Sequence, residues 1–249
     1  MLKMKIRRVD HSNDNTPILS NREIEEFAHA VLADYKPKLL REPAAVSFQH
    51  FLESYLGVTL IFRDIFNSDP EKQILAMTVF RDGTVKLFDR ENNRISNSIM
   101  RANTVIIDNS VMQPGKEGLA LFTGLHEGGH ILMHPKVYGP FRAGQVCCRR
   151  ETVESVRSGG NSQWSSEQWL EHQANYFAAA LAMPNATFIP FVNQLMREHN
   201  LWKGYIITGR DDDLDIFAKD ILPERISEVY GVSKRAAYIK LKKVGFVSE

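Results

Sequence analysis

Residues 121–135 read LFTGLHEGGHILMHP, and inside them His126-Glu127-Gly128-Gly129-His130 constrains the fold more than any other stretch. Histidines four residues apart on a helix lie one turn apart on one face. Both imidazoles can then reach one metal ion of roughly tetrahedral geometry, and the glutamate beside the first can take a proton from a metal-bound water. The arrangement works only on a helix, which is expected from about Lys116 to His134 and stops before Pro135. Gly128 and Gly129 each cost such a helix about 1 kcal/mol relative to alanine. Close approach of another backbone is the expected compensation. On a helical wheel of about 100° per residue, the histidines border an apolar stripe of Leu121, Phe122, Leu125, Gly129 and Leu132 without lying on it.

A catalytic zinc site takes a third protein ligand and leaves a fourth position for water. Ser165 with Gln168 three residues on has the form of a capping box, opening a helix that runs to Met183 before Pro184. Glu171, Asn175, Ala178 and Ala182 share one face of it, beside an apolar stripe of Leu170, Ala174, Phe177 and Leu181. Small residues next to Glu171 would let this helix lie against the glycine side of the motif helix. Glu171 is therefore the choice of third ligand, against an ordinary exposed glutamate or His172 in that role. His134 lies two turns from His126, about 12 Å away and too far to share one ion comfortably. It reads as a histidine stabilising a helix C-terminus. Adjacent Cys147 and Cys148 cannot build a disulfide framework; a redox-sensitive fourth ligand is the alternative to small buried residues.

Elsewhere, helical spacing is expected over about residues 23–40, capped by Ser20 or Asn21, and again over 46–55, ending at Gly57. Strands are expected at 58–66, 74–80, 84–88 and 104–107, forming a small sheet of four, with Asp82-Gly83 turning a hairpin between the second and third. The edge at Thr104 to Ile107 is the candidate for holding a peptide as an added strand. Residues 135–164 read as irregular, and a further helix follows at about 189–200. The chain closes on a helix, a Gly231-Val232-Ser233 turn and a second helix carrying Lys234, Arg235, Lys240, Lys242 and Lys243 with no acid, the proportions of a helix-turn-helix. We therefore expect an α+β fold divided into residues 1–207 and 208–249.

A formal net charge of +1 argues against a globally basic nucleic-acid coat, although the last helix alone could contact DNA. No apolar run reaches the roughly 18 residues of a membrane span, and the basic N-terminus lacks the apolar stretch of a signal peptide. A cytoplasmic protein is the expectation.

HEGGHILMHP followed by WLEHQANYFAAALAMP resembles the ImmA/IrrE family of zinc metallopeptidases, and YGVSKRAAYIKLKKVGF is similar to that family's helix-turn-helix-like end. The resemblance implies a zincin-like fold, Zn2+ on His126, His130 and Glu171, and Glu127 as general base. It also implies a substrate class: family members characteristically cleave a helix-turn-helix transcriptional repressor. This chain departs in carrying Gly128 where a larger apolar residue is common. The rival from another class is a DNA-binding or repressor-binding regulator with a structural zinc site and no cleavage. Tyr138 and Tyr176 are the candidates for stabilising an oxyanion, against plain packing roles.

Overall fold

A helix that buries histidines and glycines together needs walls on several sides, and the fold supplies them from a sheet and from helices. The computed structural model describes residues 2–6, 8–10, 16–69, 73–138 and 164–248, together with the backbone of 145–149. Two short N-terminal strands, β1 (Val9–Asp10) and β2 (Thr16–Pro17), pair antiparallel. Helix α1 (Asn21–Tyr35) begins at a Ser20 capping box closed by Glu23. Its helical pattern breaks at Lys36, and Pro37–Leu40 continues as a 3-10 turn, because Pro37 disfavours the α conformation in the residue before it. Phe48–His50 (α2) runs directly into a π-turn at Phe51–Tyr55.

The main sheet comes next. Strand β3 (Thr59–Arg63) is followed by β4 (Ile74–Val79), β5 (Gly83–Asp89), β6 (Arg94–Met100) and β7 (Thr104–Asp108). A further strand, β8 (Gln145–Arg149), interrupts the stretch that the sequence presents as irregular. The four-stranded sheet has the order β3-β7-β4-β8. Strands β3 and β7 run parallel, whereas β4 is antiparallel to both β7 and β8.

Two expectations fail here for one reason: a strand has only two edges. Strand β4 spends both of them on β7 and β8, so the Asp82-Gly83 hairpin to β5 does not form. Strand β5 instead pairs with β6, from Gly83 opposite Met100 to Asp89 opposite Arg94, in a separate two-stranded arm. Asp82 closes the base of that arm by accepting the Ala102 N–H at 2.6 Å. Strand β7, proposed as a peptide-binding edge, is likewise paired on both sides and offers none. Among the described residues, the outer strands are β3 and β8.

Behind the sheet lie the motif helix α3 (Glu117–Met133) and α4 (Ser166–Ala182). The Ser165–Gln168 capping box of α4 is present as expected. Helix α5 (Asn185–Glu198) follows, and α6 (Asp212–Ile216) leads through a π-turn into α7 (Leu222–Tyr230) and α8 (Lys234–Val244). Gly231 ends α7 with φ 67°, a conformation glycine adopts without the Cβ penalty, and the Ser233 side chain caps α8. Strands β9 (Ile206–Ile207) and β10 (Val247–Ser248) pair parallel and fasten the end of the chain. Among the described residues, the main apolar core reaches from Leu19 through Leu125, Phe177 and Leu241 to Val247, and a smaller one gathers Ile65, Val79, Val85, Leu87 and Ile106. The architecture is mixed α+β. No helix among the described residues is long and apolar enough to cross a membrane.

Candidate metal centre

Packing decides the surroundings of the motif. Every residue from Thr123 to His130 is buried, so the histidines do not merely border the apolar stripe, as the wheel suggests, but lie inside with it. The glycines explain how α3 tolerates neighbours on so many sides. A Cβ on Gly129 would lie 3.3 Å from Ala174 Cα and 3.2 Å from the Phe177 ring, so α4 approaches closely there, as expected. Gly128 serves another neighbour: its Cβ would lie 2.7 Å from the Phe51 ring. The π-turn thus fills the space that a larger side chain at position 128 would need. Gly118, nearly three turns earlier, gives room to the backbone of Ser233, whose nitrogen would lie 2.5 Å from a Cβ.

With α3 and α4 in contact, His126, His130 and Glu171 converge. One donor atom from each lies within 4.8 Å of the other two, and all three residues are buried. The Nε2 atoms of His126 and His130 are 3.0 Å apart. Glu171 brings Oε2 to 3.3 Å from the first and Oε1 to 3.2 Å from the second. Each imidazole uses its Nδ1 outside the cluster, His126 with Asn175 Oδ1 at 2.8 Å and His130 with His134 Nδ1 at 3.0 Å. Two nitrogens and a carboxylate turned towards one point, with the opposite ring atoms engaged elsewhere, form a donor set suited to zinc. Burial raises the pKa of the Glu171 carboxyl, but His130 and His126 outweigh it and hold that carboxyl below the usual range.

Glu127 sits beside this cluster without joining it. Its Oε2 accepts a hydrogen bond from the Thr78 hydroxyl of β4, while Oε1, also buried, has no hydrogen-bond partner among the described residues. Burial pushes the Glu127 carboxyl up to about 7, against the opposing pull of His126 and Thr78. A carboxyl that exchanges its proton near neutrality, with one oxygen uncommitted, suits general acid–base work.

The alternatives separate cleanly. His172, the other candidate ligand, is half-buried between Trp164 and Tyr176 and contacts Asn21 Oδ1 at 3.3 Å, outside the cluster. His134 is not part of it either; it stands at the helix end as expected, but it is fully buried there, and burial depresses its pKa to about 3. Tyr138 stacks on Phe80 at 5.2 Å and meets the His130 ring edge-on at 5.8 Å. Tyr176 lies under Lys243 instead, its ring 5.0 Å from the Lys243 ammonium. The thiols of Cys147 and Cys148, together with residues 139–144 and 150–163, lie outside the described residues. Sequence reasoning missed Thr78 and Gln173; no local pattern marks a strand threonine that a distant helix will use.

Residues 104–242, more than half of the chain, match the family model described as the IrrE N-terminal-like domain of peptidase M78. The chain belongs to this family. The match spans the strand β7, both motif helices and most of α8, so the cluster lies wholly inside it. A buried His-His-Glu cluster fits a family described as a peptidase. No match was found among curated proteins. Among solved structures, a Mycobacterium tuberculosis transcriptional regulator superposes with a TM-score of 0.39 at 10% identity, covering 90% of this chain and 52% of that one. The present chain thus spans about half the length of that regulator, and so distant a likeness carries no argument.

Proposed function

We propose that this M78 chain is a zinc-dependent endopeptidase that cleaves a helix-turn-helix transcriptional repressor, with His126, His130 and Glu171 as metal ligands and Glu127 as general base. One observation carries the reading: Glu127 stands against a buried three-ligand cluster with one oxygen uncommitted and a carboxyl titrating near neutrality. Bound zinc would acidify a water molecule and polarise the scissile carbonyl. Glu127 Oε1 accepts the proton of the attacking water and later delivers it to the departing amine. The Thr78 hydroxyl orients Glu127 by holding Oε2, which leaves Oε1 to face the reaction. Burial of the three ligands keeps bulk water from competing at the cluster. Peptide is read as entering on the β8 side of the sheet, next to the strand that carries Thr78.

Residues 1–207 are read as the peptidase unit and 208–249 as a helical subdomain that docks on α3 at Gly118. The choice of a repressor as substrate rests on the family resemblance. It is tested by incubating the zinc-loaded protein with a candidate helix-turn-helix repressor and weighing the products by mass spectrometry. Two fragments that sum to the intact repressor plus one water are expected, with none from Glu127→Gln. Stable binding of an intact repressor would favour the non-cleaving regulator instead.

A further inference from the structure

His134 is buried completely and has no part in the chemistry just described, although, capping α3, it continues the row of His126 and His130 four residues beyond the latter. Its partners form a chain with a defined direction. At the far end, Gln173 Nε2 donates to the Pro17 carbonyl at 2.7 Å, which fixes how that amide is turned. The Gln173 oxygen then faces His134 Nε2 at 3.0 Å, so that nitrogen must carry a hydrogen. A neutral imidazole has one N–H and one lone pair, which leaves His134 Nδ1 as an acceptor. It faces His130 Nδ1 at 3.0 Å, so His130 bears its hydrogen there and presents a bare Nε2 to the cluster.

We propose that His134 is a positioning residue: through Gln173 and the Pro17 carbonyl of β2 it locks His130 in the Nδ1–H tautomer and aims its Nε2 lone pair at the metal position. The relay extends the proposed function by tying the N-terminal strand pair to the metal centre. A hydrogen bond of this kind to the outer nitrogen of a ligating histidine is generally worth about 10–100-fold in metal affinity.

The test uses the whole chain, His134→Phe and His134→Asn. The phenylalanine keeps a ring but no acceptor, whereas the asparagine oxygen can stand near the position of Nδ1 and accept from His130. Long-range proton–nitrogen spectra of the metal-free protein report the tautomer directly. Wild type and His134→Asn are expected to show His130 as Nδ1–H, and His134→Phe a loss of that form. Competition against a zinc chelator should show affinity falling about 10–100-fold in His134→Phe and recovering most of that loss in His134→Asn. If His134→Phe does not fold, Gln173→Met breaks the same relay one step further out and should release the His134 tautomer. A His130 tautomer unchanged in the variant, or zinc affinity equal to wild type, would overturn the relay. Because the tautomer is read without metal, it stands or falls separately from the zinc assignment.

Discussion

Two helices of this protein carry conspicuous polar residues, and the fold treats them in opposite ways. Helix α3 takes His126, Glu127 and His130 fully inside and gives them one another, Glu171, Thr78 and Asn175 as neighbours. Helix α8 carries five cations, and its packing diverts part of that charge. Lys240 is 7% exposed and lies 3.7 Å from Glu25 on α1, and Lys243 rests over the Tyr176 ring. Lys234 is exposed but bridges to Glu224 of α7 at 2.8 Å. The basic row that suggests a DNA-binding helix is thus partly an internal brace. Residue type and spacing on a helix say what a side chain can do, and its tertiary neighbours decide whether it is available to do it.

The contrast can be broken at α3 first, where the effects are largest. Glu171→Gln keeps the shape of the side chain but removes the charge of the proposed anionic ligand. It should weaken zinc binding more than about 100-fold, beyond what an outer residue costs, as read by chelator competition; full zinc retention would end the ligand assignment. Burial of Glu127 makes a second, pH-dependent prediction for the metal-free protein. Its folded pKa of about 7 lies above its ordinary value of 4.5, so between those values the folded state holds a proton that the unfolded chain has released. Stability from this group therefore falls as pH rises through that window and then levels off. Glu127→Gln removes the penalty and should gain about 2 kcal/mol on wild type between pH 5 and pH 8 in urea denaturation.

Smaller effects sharpen the other half of the contrast, the seating of α8. Gly118→Ala would push a Cβ against the Ser233 nitrogen and the Val232 carbonyl carbon, backbone atoms that cannot rotate away. A loss of about 1–3 kcal/mol is expected from such overpacking, seen as a lower melting temperature. Ser233→Ala deletes only the cap that accepts the Ala236 N–H and should cost about 1 kcal/mol. Equal losses in the two variants would mean that α8 is held by its own cap as strongly as by its contact with α3.

Much of the helical layer is legible residue by residue, because its signals are local. Ser20 with Glu23, Ser165 with Gln168, and Gly231 with Ser233 mark helix ends within a few positions, and each cap is where the pattern puts it. The cluster of His126, His130 and Glu171 is legible for a related reason. Two of its members are one turn apart on one helix, and the small residues around the third foretell the close packing of α4. Strand pairing is not local in this sense. Asp82-Gly83 has the chemistry of a tight reversal, but β7 and β8 compete for β4 from far along the chain and win both edges.

The amino-acid sequence by itself determined the helices, the spacing of His126 and His130 and the need for small residues between α3 and α4. These depend on periodicity and steric volume, which a linear pattern records. Only the tertiary structure decided that Thr78 would hold Glu127, that Gln173 and Pro17 would orient His134, and that Lys240 would turn inward to Glu25. Each of those contacts joins residues remote in the chain, and burial in a shared interior, where a polar group must find a partner or lose its hydration at a cost, is what selects them.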